Sequence, residues 1–178
     1  MTMGRIALIA AGFSIAAVSQ ANAQAATQDV NITATVPKYC TIGGTATPAA
    51  LNTTIPVSST GSVTTATQNF TVNTVVCNVA TNVVATSVSG GVKSATAPAS
   101  GFTNIIDYTG AATFGSATST INTATAPAAA GSEAGNTAAT PGATAGDLTI
   151  SVTPAQPSTP LMAATDYSDV LRITLTPQ

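Results

Sequence analysis

Apolar and polar residues alternate strictly over one short segment near the beginning of the chain. Between Asp29 and Val36 the odd positions carry Asp, Asn, Thr and Thr, whereas the even positions carry Val30, Ile32, Ala34 and Val36. Successive side chains of an extended strand point to opposite faces, so one face of this segment is wholly apolar. We therefore expect a strand that buries this face, either in its own domain or in a groove on another molecule.

The remainder of the chain also has the pattern of β-structure, because Thr and Val are abundant, Gly and Pro interrupt it often, and no helical period is sustained. In the first long strand, Phe70, Val72 and Val76 share one parity, with Thr74 as the exception. The last strand places Leu171, Ile173 and Leu175 on one face and Arg172 and Thr174 on the other. Several short strands separated by turns suggest a sandwich or barrel. The predicted strands are Gln68–Cys77, 82–89, 103–109, 116–122, 147–153 and 168–176.

One internal segment departs from this pattern. Residues 123–146 are rich in Ala, Thr, Gly and Pro and carry a single charge, Glu133. The segment lacks large side chains, so it has little to contribute to a core. We expect a long surface loop, either mobile or displayed on the surface of an assembly.

Residues 1–23 have the features of a secretory signal peptide. Arg5 supplies a positive start, residues 6–18 are apolar, and Ala21-Asn22-Ala23 is a small-x-small cleavage site. The apolar stretch is shorter than the ~20 residues that span a bilayer. The sequence therefore predicts an exported chain with no membrane anchor, cleaved after Ala23 to leave about one domain.

Charge and composition exclude several functions. Charged residues are 6% of the chain, and the predicted mature form keeps only three scattered cations, so nucleic acid is not an expected partner. The chain has no His, which removes Ser-His and Cys-His catalysis. Carboxylate pairs stay possible in principle, but Asp166 and Asp169 flank Tyr167 where turn capping is expected. We expect no enzyme activity, no metal site and no cofactor.

Cys40 and Cys77 are the two cysteines of the chain. In an exported protein an even pair indicates a disulfide. A crosslink that closes a loop of this length stabilises the fold by about 3–4 kcal/mol on the chain-entropy estimate. A redox CxxC pair is absent, and a metal site would need more ligands, so we expect a structural disulfide.

Both ends of the chain resemble the corresponding ends of a known protein family. At the start, residues 30–36 are followed by Cys40-Thr41-Ile42-Gly43-Gly44, and near the end, in residues 164–176, a Tyr-x-Asp precedes an alternating final strand. These ends, with the spacing of the two cysteines, resemble the spore coat protein U-domain proteins, which include the pilins of archaic (Csu-type) chaperone–usher pili. Residues 94–146 are similar only as general β sequence. The chain departs from the family at Pro177 and Gln178, where an aromatic end is usual, and at Thr165, where Gly is usual.

The resemblance implies an incomplete immunoglobulin-like β-sandwich that lacks one strand and exposes an apolar groove. A periplasmic chaperone fills this groove temporarily, and the N-terminal extension of the next subunit replaces it at the outer-membrane usher, by β-strand addition. The resemblance implies three structural roles: a disulfide between Cys40 and Cys77, a donor strand, and an acceptor groove bordered by the final strand. The donor-strand residues are Val30, Ile32, Ala34 and Val36, and the residues of the acceptor groove and final strand are Tyr167, Leu171, Ile173 and Leu175.

On this interpretation residues 1–23 are the signal peptide, residues 24–37 are the donor-strand extension, and residues 38–178 are the pilin domain. The expected function is that of a non-catalytic subunit of a surface pilus that supports adhesion and biofilm formation. Two alternatives stay open. One is a self-contained secreted coat or matrix protein of the same fold, with its first strand in its own domain. The other is a small carbohydrate-binding sandwich, which is poorly supported because sugar platforms use exposed aromatics and the chain has no Trp.

Overall fold

A computed structural model describes residues 28–46, 48–125 and 133–178, so the predicted signal peptide lies outside the described residues. The chain divides into two units, residues 1–35 and 36–178. Within the described part there are eleven strands and no helix. The strands are β1 (Cys40–Thr41), β2 (Gln68–Cys77), β3 (Thr81–Ser87), β4 (Val92–Lys93), β5 (Ile105–Ile106), β6 (Tyr108–Phe114), β7 (Ala117–Asn122), β8 (Glu133–Ala134), β9 (Ala138–Ala139), β10 (Thr144–Pro154) and β11 (Leu171–Pro177).

The strands of the second unit form two main antiparallel sheets. The larger sheet has the order β1-β2-β10-β6-β7. In the smaller sheet β3 pairs with β11 on one side and with β8 and β9 on the other. Strands β4 and β5 make a separate two-stranded ribbon. Because β3 packs against β6 and β7, the two sheets face each other, and the predicted all-β sandwich is confirmed.

The core lies where β3 covers the inner face of the larger sheet. Its members are apolar residues with almost no exposed surface, since alternate side chains of each strand point inward. They are Val75, Cys77, Val83, Ala85, Ala112, Phe114, Ala117, Ile121 and Leu148. The predicted disulfide is confirmed: Cys40 and Cys77 are bonded and lie directly opposite each other in the pairing of β1 with β2.

Two predicted features of the strands need correction. The strand predicted over residues 103–109 is interrupted at Asp107, because β5 belongs to the small ribbon while β6 belongs to the larger sheet. In β2 the pairing with β10 shifts, so that Val72 lies opposite Leu148 but Val75 lies opposite Gly146. This β-bulge puts one extra residue in β2 and changes the parity of the inward side chains. Val75 and Cys77 are therefore buried, and Val76 between them is only partly buried and faces away from the core, so the predicted apolar face of Phe70 and Val72 does not continue through Val76.

The surface-loop prediction is also wrong for the part of residues 123–146 that the structure describes from Glu133 onward. Strands β8 and β9 pair with the edge of β3, and β10 already begins at Thr144. Gly135 donates a backbone hydrogen bond to the carbonyl of Ala85 (2.8 Å). The same backbone also lies close to β7. A Cβ at Gly135 would be only 2.1 Å from the carbonyl oxygen of Thr120, so a residue without a side chain allows this close approach. Residues 126–132 lie outside the described residues.

Candidate functional site

Burial decreases across the smaller sheet from β3 to β11. On β3, Val83 and Ala85 have no exposed surface. Their direct partners on β11, Leu175 and Ile173, are only partly buried, although they belong to the same inward-facing rows. An inward-facing Leu or Ile at a covered sheet position would normally be buried. The core is therefore open on the side of β11.

The larger sheet shows the same decrease toward β2. Phe114 on β6 and Leu148 on β10 are 0% and 1% exposed, respectively, whereas Val72, the next residue in this row on β2, is only partly buried. In the next row Ala112 is fully buried and its partner Ile150 is only partly buried. Burial is thus incomplete at β11 in the smaller sheet and at β2 in the larger one, and these edges lie on the same side of the sandwich because β1, the neighbour of β2, contacts β11.

An open cleft lies between β11 and the β1 edge of the larger sheet, and we call it the edge cleft. Its volume is about 250 Å³. One side is formed by the start of β1 and the chain that follows it, and the other side is formed by β11. The lining residues are Cys40, Ile42, Ala46, Pro48, Arg172, Ile173, Thr174 and Leu175.

The backbone along the edge cleft has free hydrogen-bonding capacity. Within the described residues β11 has β3 as its single strand partner. Strand β1 covers β2 only at Val76 and Cys77, so most of the outer edge of β2 has no strand beside it in the described part of the chain. An unpaired strand edge is a template for the addition of another strand.

The predicted donor residues are exposed. In the described part of the first unit, residues 28–35, there is no strand. The side chains of Val30 and Ile32 are 78% and 89% exposed, and Ala34 is exposed as well. Val36, which belongs to the second unit, is 73% exposed. An alternating row of exposed aliphatic side chains is uncommon on a protein that acts alone.

The predicted groove residues are distributed along β11 and beyond it. Ile173 and Leu175 line the edge cleft. Leu171 packs farther along the strand, beside Gly110 of β6, where a Cβ would lie 3.0 Å from the Leu171 Cδ2 atom. Tyr167 does not line the cleft: its hydroxyl donates to the carbonyl oxygen of Met162 (2.9 Å), and burial raises the pKa of this phenol. Tyr167 therefore supports the loop before β11.

Asp169 is a structural residue whose role the sequence did not reveal in full. Its carboxylate accepts hydrogen bonds from the Tyr108 hydroxyl (2.7 Å), the Ser87 hydroxyl (2.5 Å) and the backbone N–H groups of Ser89 (2.8 Å) and Val170 (2.7 Å). Burial disfavours the charged form, but these four bonds outweigh it and hold the pKa of Asp169 below its usual range. The same carboxylate thus joins β6, the end of β3 and the start of β11.

The part of the chain that the structure describes was also compared with the requirements of a metal site and of a membrane-spanning helix. Residues 28–46, 48–125 and 133–178 contain no group of three or more His, Cys, Asp or Glu side chains placed to hold a metal ion. A helix of sufficient length and apolar character to cross a membrane does not occur among them. Comparisons with known protein families, curated proteins and solved structures find no match to this chain.

Proposed function

We propose that this chain is a structural subunit of a surface pilus, assembled when the N-terminal segment of one subunit enters the edge cleft of another. The observation that carries the proposal is the presence, in one chain, of an exposed alternating apolar segment and an open cleft between two sheet edges. The resemblance of the two chain ends to spore coat U-domain pilins agrees with this function. The sandwich would then be of the incomplete immunoglobulin-like kind.

The dimensions of the two parts are compatible. From Val30 to Val36 an extended strand spans about 20 Å, at ~3.3 Å per residue. Strand β11 has seven residues and is therefore of nearly the same length. Both segments alternate with period two, so a donor strand beside β11 would point all its aliphatic side chains toward the partly buried row that contains Ile173 and Leu175.

The energetics favour stable insertion. Burying each of the three large aliphatic side chains, Val30, Ile32 and Val36, contributes on the order of 1.5–3 kcal/mol. Insertion would also cover Ile173 and Leu175 and supply partners to the free edge of β11. Pro37 follows the donor segment directly, and because proline lacks an N–H it ends the strand there.

Exchange of this kind is head to tail, so it leads to a filament. The donor of one subunit and the cleft of the next are different surfaces, and such a heterologous contact repeats without closing. On the family resemblance, the subunit would pass through the periplasm with a chaperone in its cleft and be joined to homologous subunits at an outer-membrane usher. The fibre would serve adhesion and biofilm formation at the cell surface.

The proposal is tested by paired substitutions at adjacent residues of the donor segment. Ile32→Asp places a charge on the apolar face, whereas Thr33→Asp places the same charge on the polar face. Export of each form to the periplasm of a diderm host, followed by gel electrophoresis without boiling, measures the ladder of linked subunits. We expect the ladder to persist for Thr33→Asp and to be lost for Ile32→Asp.

Deletion of residues 27–36 is the second experiment that tests the proposal. The shortened subunit should fold, form its disulfide and still accept a donor from an intact subunit, but it should not donate. Persistent filaments of the shortened chain alone would overturn the proposal. A lone monomer of the intact chain, with the amides of residues 29–36 protected from exchange, would instead favour the self-contained coat or matrix protein.

A further inference from the structure

The side chain of Asn78 binds the chain segment that connects the donor strand to the sandwich. Its Nδ2 donates to the carbonyl oxygen of Pro37 (2.8 Å), and its Oδ1 accepts from the N–H of Tyr39 (2.9 Å). The backbone N–H of Asn78 also donates to the carbonyl oxygen of Tyr39 (3.2 Å). Three hydrogen bonds between residues about 40 positions apart in sequence therefore hold residues 37–39, and we call this arrangement the Asn78 clamp.

The Asn78 clamp fixes the path of residues 37–39 within the second unit. Strand β1 runs antiparallel to β2, with Cys40 opposite Cys77, and the clamp continues this pairing by one residue, Tyr39 beside Asn78. Followed from Cys40 toward the N-terminus, residues 39 to 37 therefore continue past the end of β2 in the direction of Ala80. Ala80 accepts the last backbone hydrogen bond of the chain, from the N–H of Gln178 (2.8 Å), so this is the end of the sandwich at which β11 finishes.

The edge cleft lies in the opposite direction from Cys40. It is lined by Ile42, Ala46 and Pro48, which follow Cys40, and by Arg172 to Leu175 of β11. A donor segment that entered the cleft of its own molecule would have to reverse direction between Val36 and Cys40. Reversal would break the bonds of Asn78 to Pro37 and Tyr39, and Pro37, with its fixed φ, restricts the turn further.

A barrier to self-insertion is needed on general grounds. A segment tethered by a short linker reaches a site on its own molecule at an effective concentration in the millimolar range, far above the micromolar concentration of a second subunit. When the chaperone leaves the cleft, a segment without a directional constraint would fill the cleft of its own molecule and assembly would stop. We propose that Asn78 is the positioning residue that directs the donor segment to a neighbouring molecule; this inference rests on the proposed function.

The test compares Asn78→Ala with Asn69→Ala in the full-length exported chain. Asn69 is an exposed residue of β2 whose side chain makes no hydrogen bond among the described residues, which makes it a matched control. Each purified protein is unfolded, refolded at the same micromolar concentration under oxidising conditions, and analysed by size-exclusion chromatography with light scattering. Loss of two hydrogen bonds should raise the ratio of monomer to oligomer by at least about fivefold for Asn78→Ala, with no change for Asn69→Ala.

Hydrogen exchange identifies what the monomers contain. In monomers of Asn78→Ala the amides of residues 30–36 should be protected, because the segment occupies its own cleft, whereas residual monomers of the unsubstituted chain should exchange rapidly there. Asn78→Asp keeps the acceptor for Tyr39 but loses the donor to Pro37, and it should give an intermediate ratio. In a chain that lacks residues 27–36, Asn78→Ala measures the effect on folding alone.

The outcomes separate this inference from the proposed function. If the unsubstituted chain forms oligomers and Asn78→Ala forms them to the same extent, the clamp does not direct the segment, and the inference is wrong while the function stands. If the unsubstituted chain refolds only to a monomer with protected residues 30–36, the clamp does not prevent self-insertion and the inference is wrong, whereas the proposed function is decided separately by the ladders of Ile32→Asp and Thr33→Asp in the exported chain. Oligomers from the unsubstituted chain and self-filled monomers from Asn78→Ala support both.

Discussion

Asp169 holds the beginning of the final strand, and its ionised form is the one that the structure stabilises. We expect Asp169→Asn to lower the free energy of unfolding by about 1–3 kcal/mol at neutral pH, because two backbone N–H groups and two hydroxyls lose a charged acceptor. Urea unfolding monitored by circular dichroism measures this change. Asp147→Asn, at an exposed position of β10, is the control and should have little effect.

The lowered pKa of Asp169 also predicts a dependence of stability on pH. A carboxyl group whose pKa is lower in the folded state than in the unfolded state stabilises the fold above its unfolded pKa, near 3.9. This contribution is lost as the pH falls through the lower, folded pKa. We therefore expect the difference in stability between the unsubstituted protein and Asp169→Asn to shrink as urea titrations move from pH 7 to pH 2. A difference that stays constant over this range would contradict the assignment.

Residue roles differ in how far the sequence predicts them. The pairing of Cys40 with Cys77 follows from their number in a chain that is expected to be exported, and the inward side chains of β11 follow from alternation. The outward direction of Val76 does not follow, because it depends on a bulge at Thr74, a residue with a positive φ of 61° that few β-branched residues adopt. The four partners of Asp169 come from three separate segments, and no local pattern predicts such a meeting.

At the scale of elements, the low-complexity segment shows why residue size alone misleads. Small side chains predicted a loop, yet β8 and β9 pair with β3 and the segment between them lies against β7, where a small residue lets the two backbones come close. Gly135→Ala tests this reason, since the added Cβ would meet the carbonyl oxygen of Thr120 at 2.1 Å. We expect a loss of about 1–3 kcal/mol in the free energy of unfolding. Gly142→Ala is the matched control, because no atom lies within 4 Å of its Cβ position.

The disulfide is a second feature at the scale of elements. It joins β1, which has only two residues, to the end of β2, at the point where Cys40 lines the edge cleft. Replacing both cysteines by Ser should lower the free energy of unfolding by about 3–4 kcal/mol. Urea midpoints of the double variant and of the reduced native chain measure the change, and they should agree with each other. Equal midpoints for the oxidised and reduced chains would contradict a stabilising role.

At the scale of the whole molecule, the open edge of β11 is the feature that most separates this chain from a closed sandwich. If the edge cleft accepts a strand, the chain should be completed by attaching its own donor segment at the other terminus. Residues 29–36, grafted after Gln178 through a flexible linker onto a chain that begins at Val36, would run antiparallel to β11 along its free edge. The linker replaces the turn of a hairpin, so the insertion is intramolecular and needs no partner.

The grafted chain should be a monomer with a higher urea midpoint than the ungrafted chain that begins at Val36. The physical reason is the burial of Val30, Ile32 and Val36 against Ile173 and Leu175, together with new backbone bonds to β11. A control graft in which Asp replaces the grafted copy of Ile32 keeps the length and the linker but places a charge on the apolar face. It should return the urea midpoint to the value of the ungrafted chain. Hydrogen exchange should show new protection on both the graft and β11. Equal midpoints for the two grafts would mean that the edge cleft does not bind this strand through its apolar face.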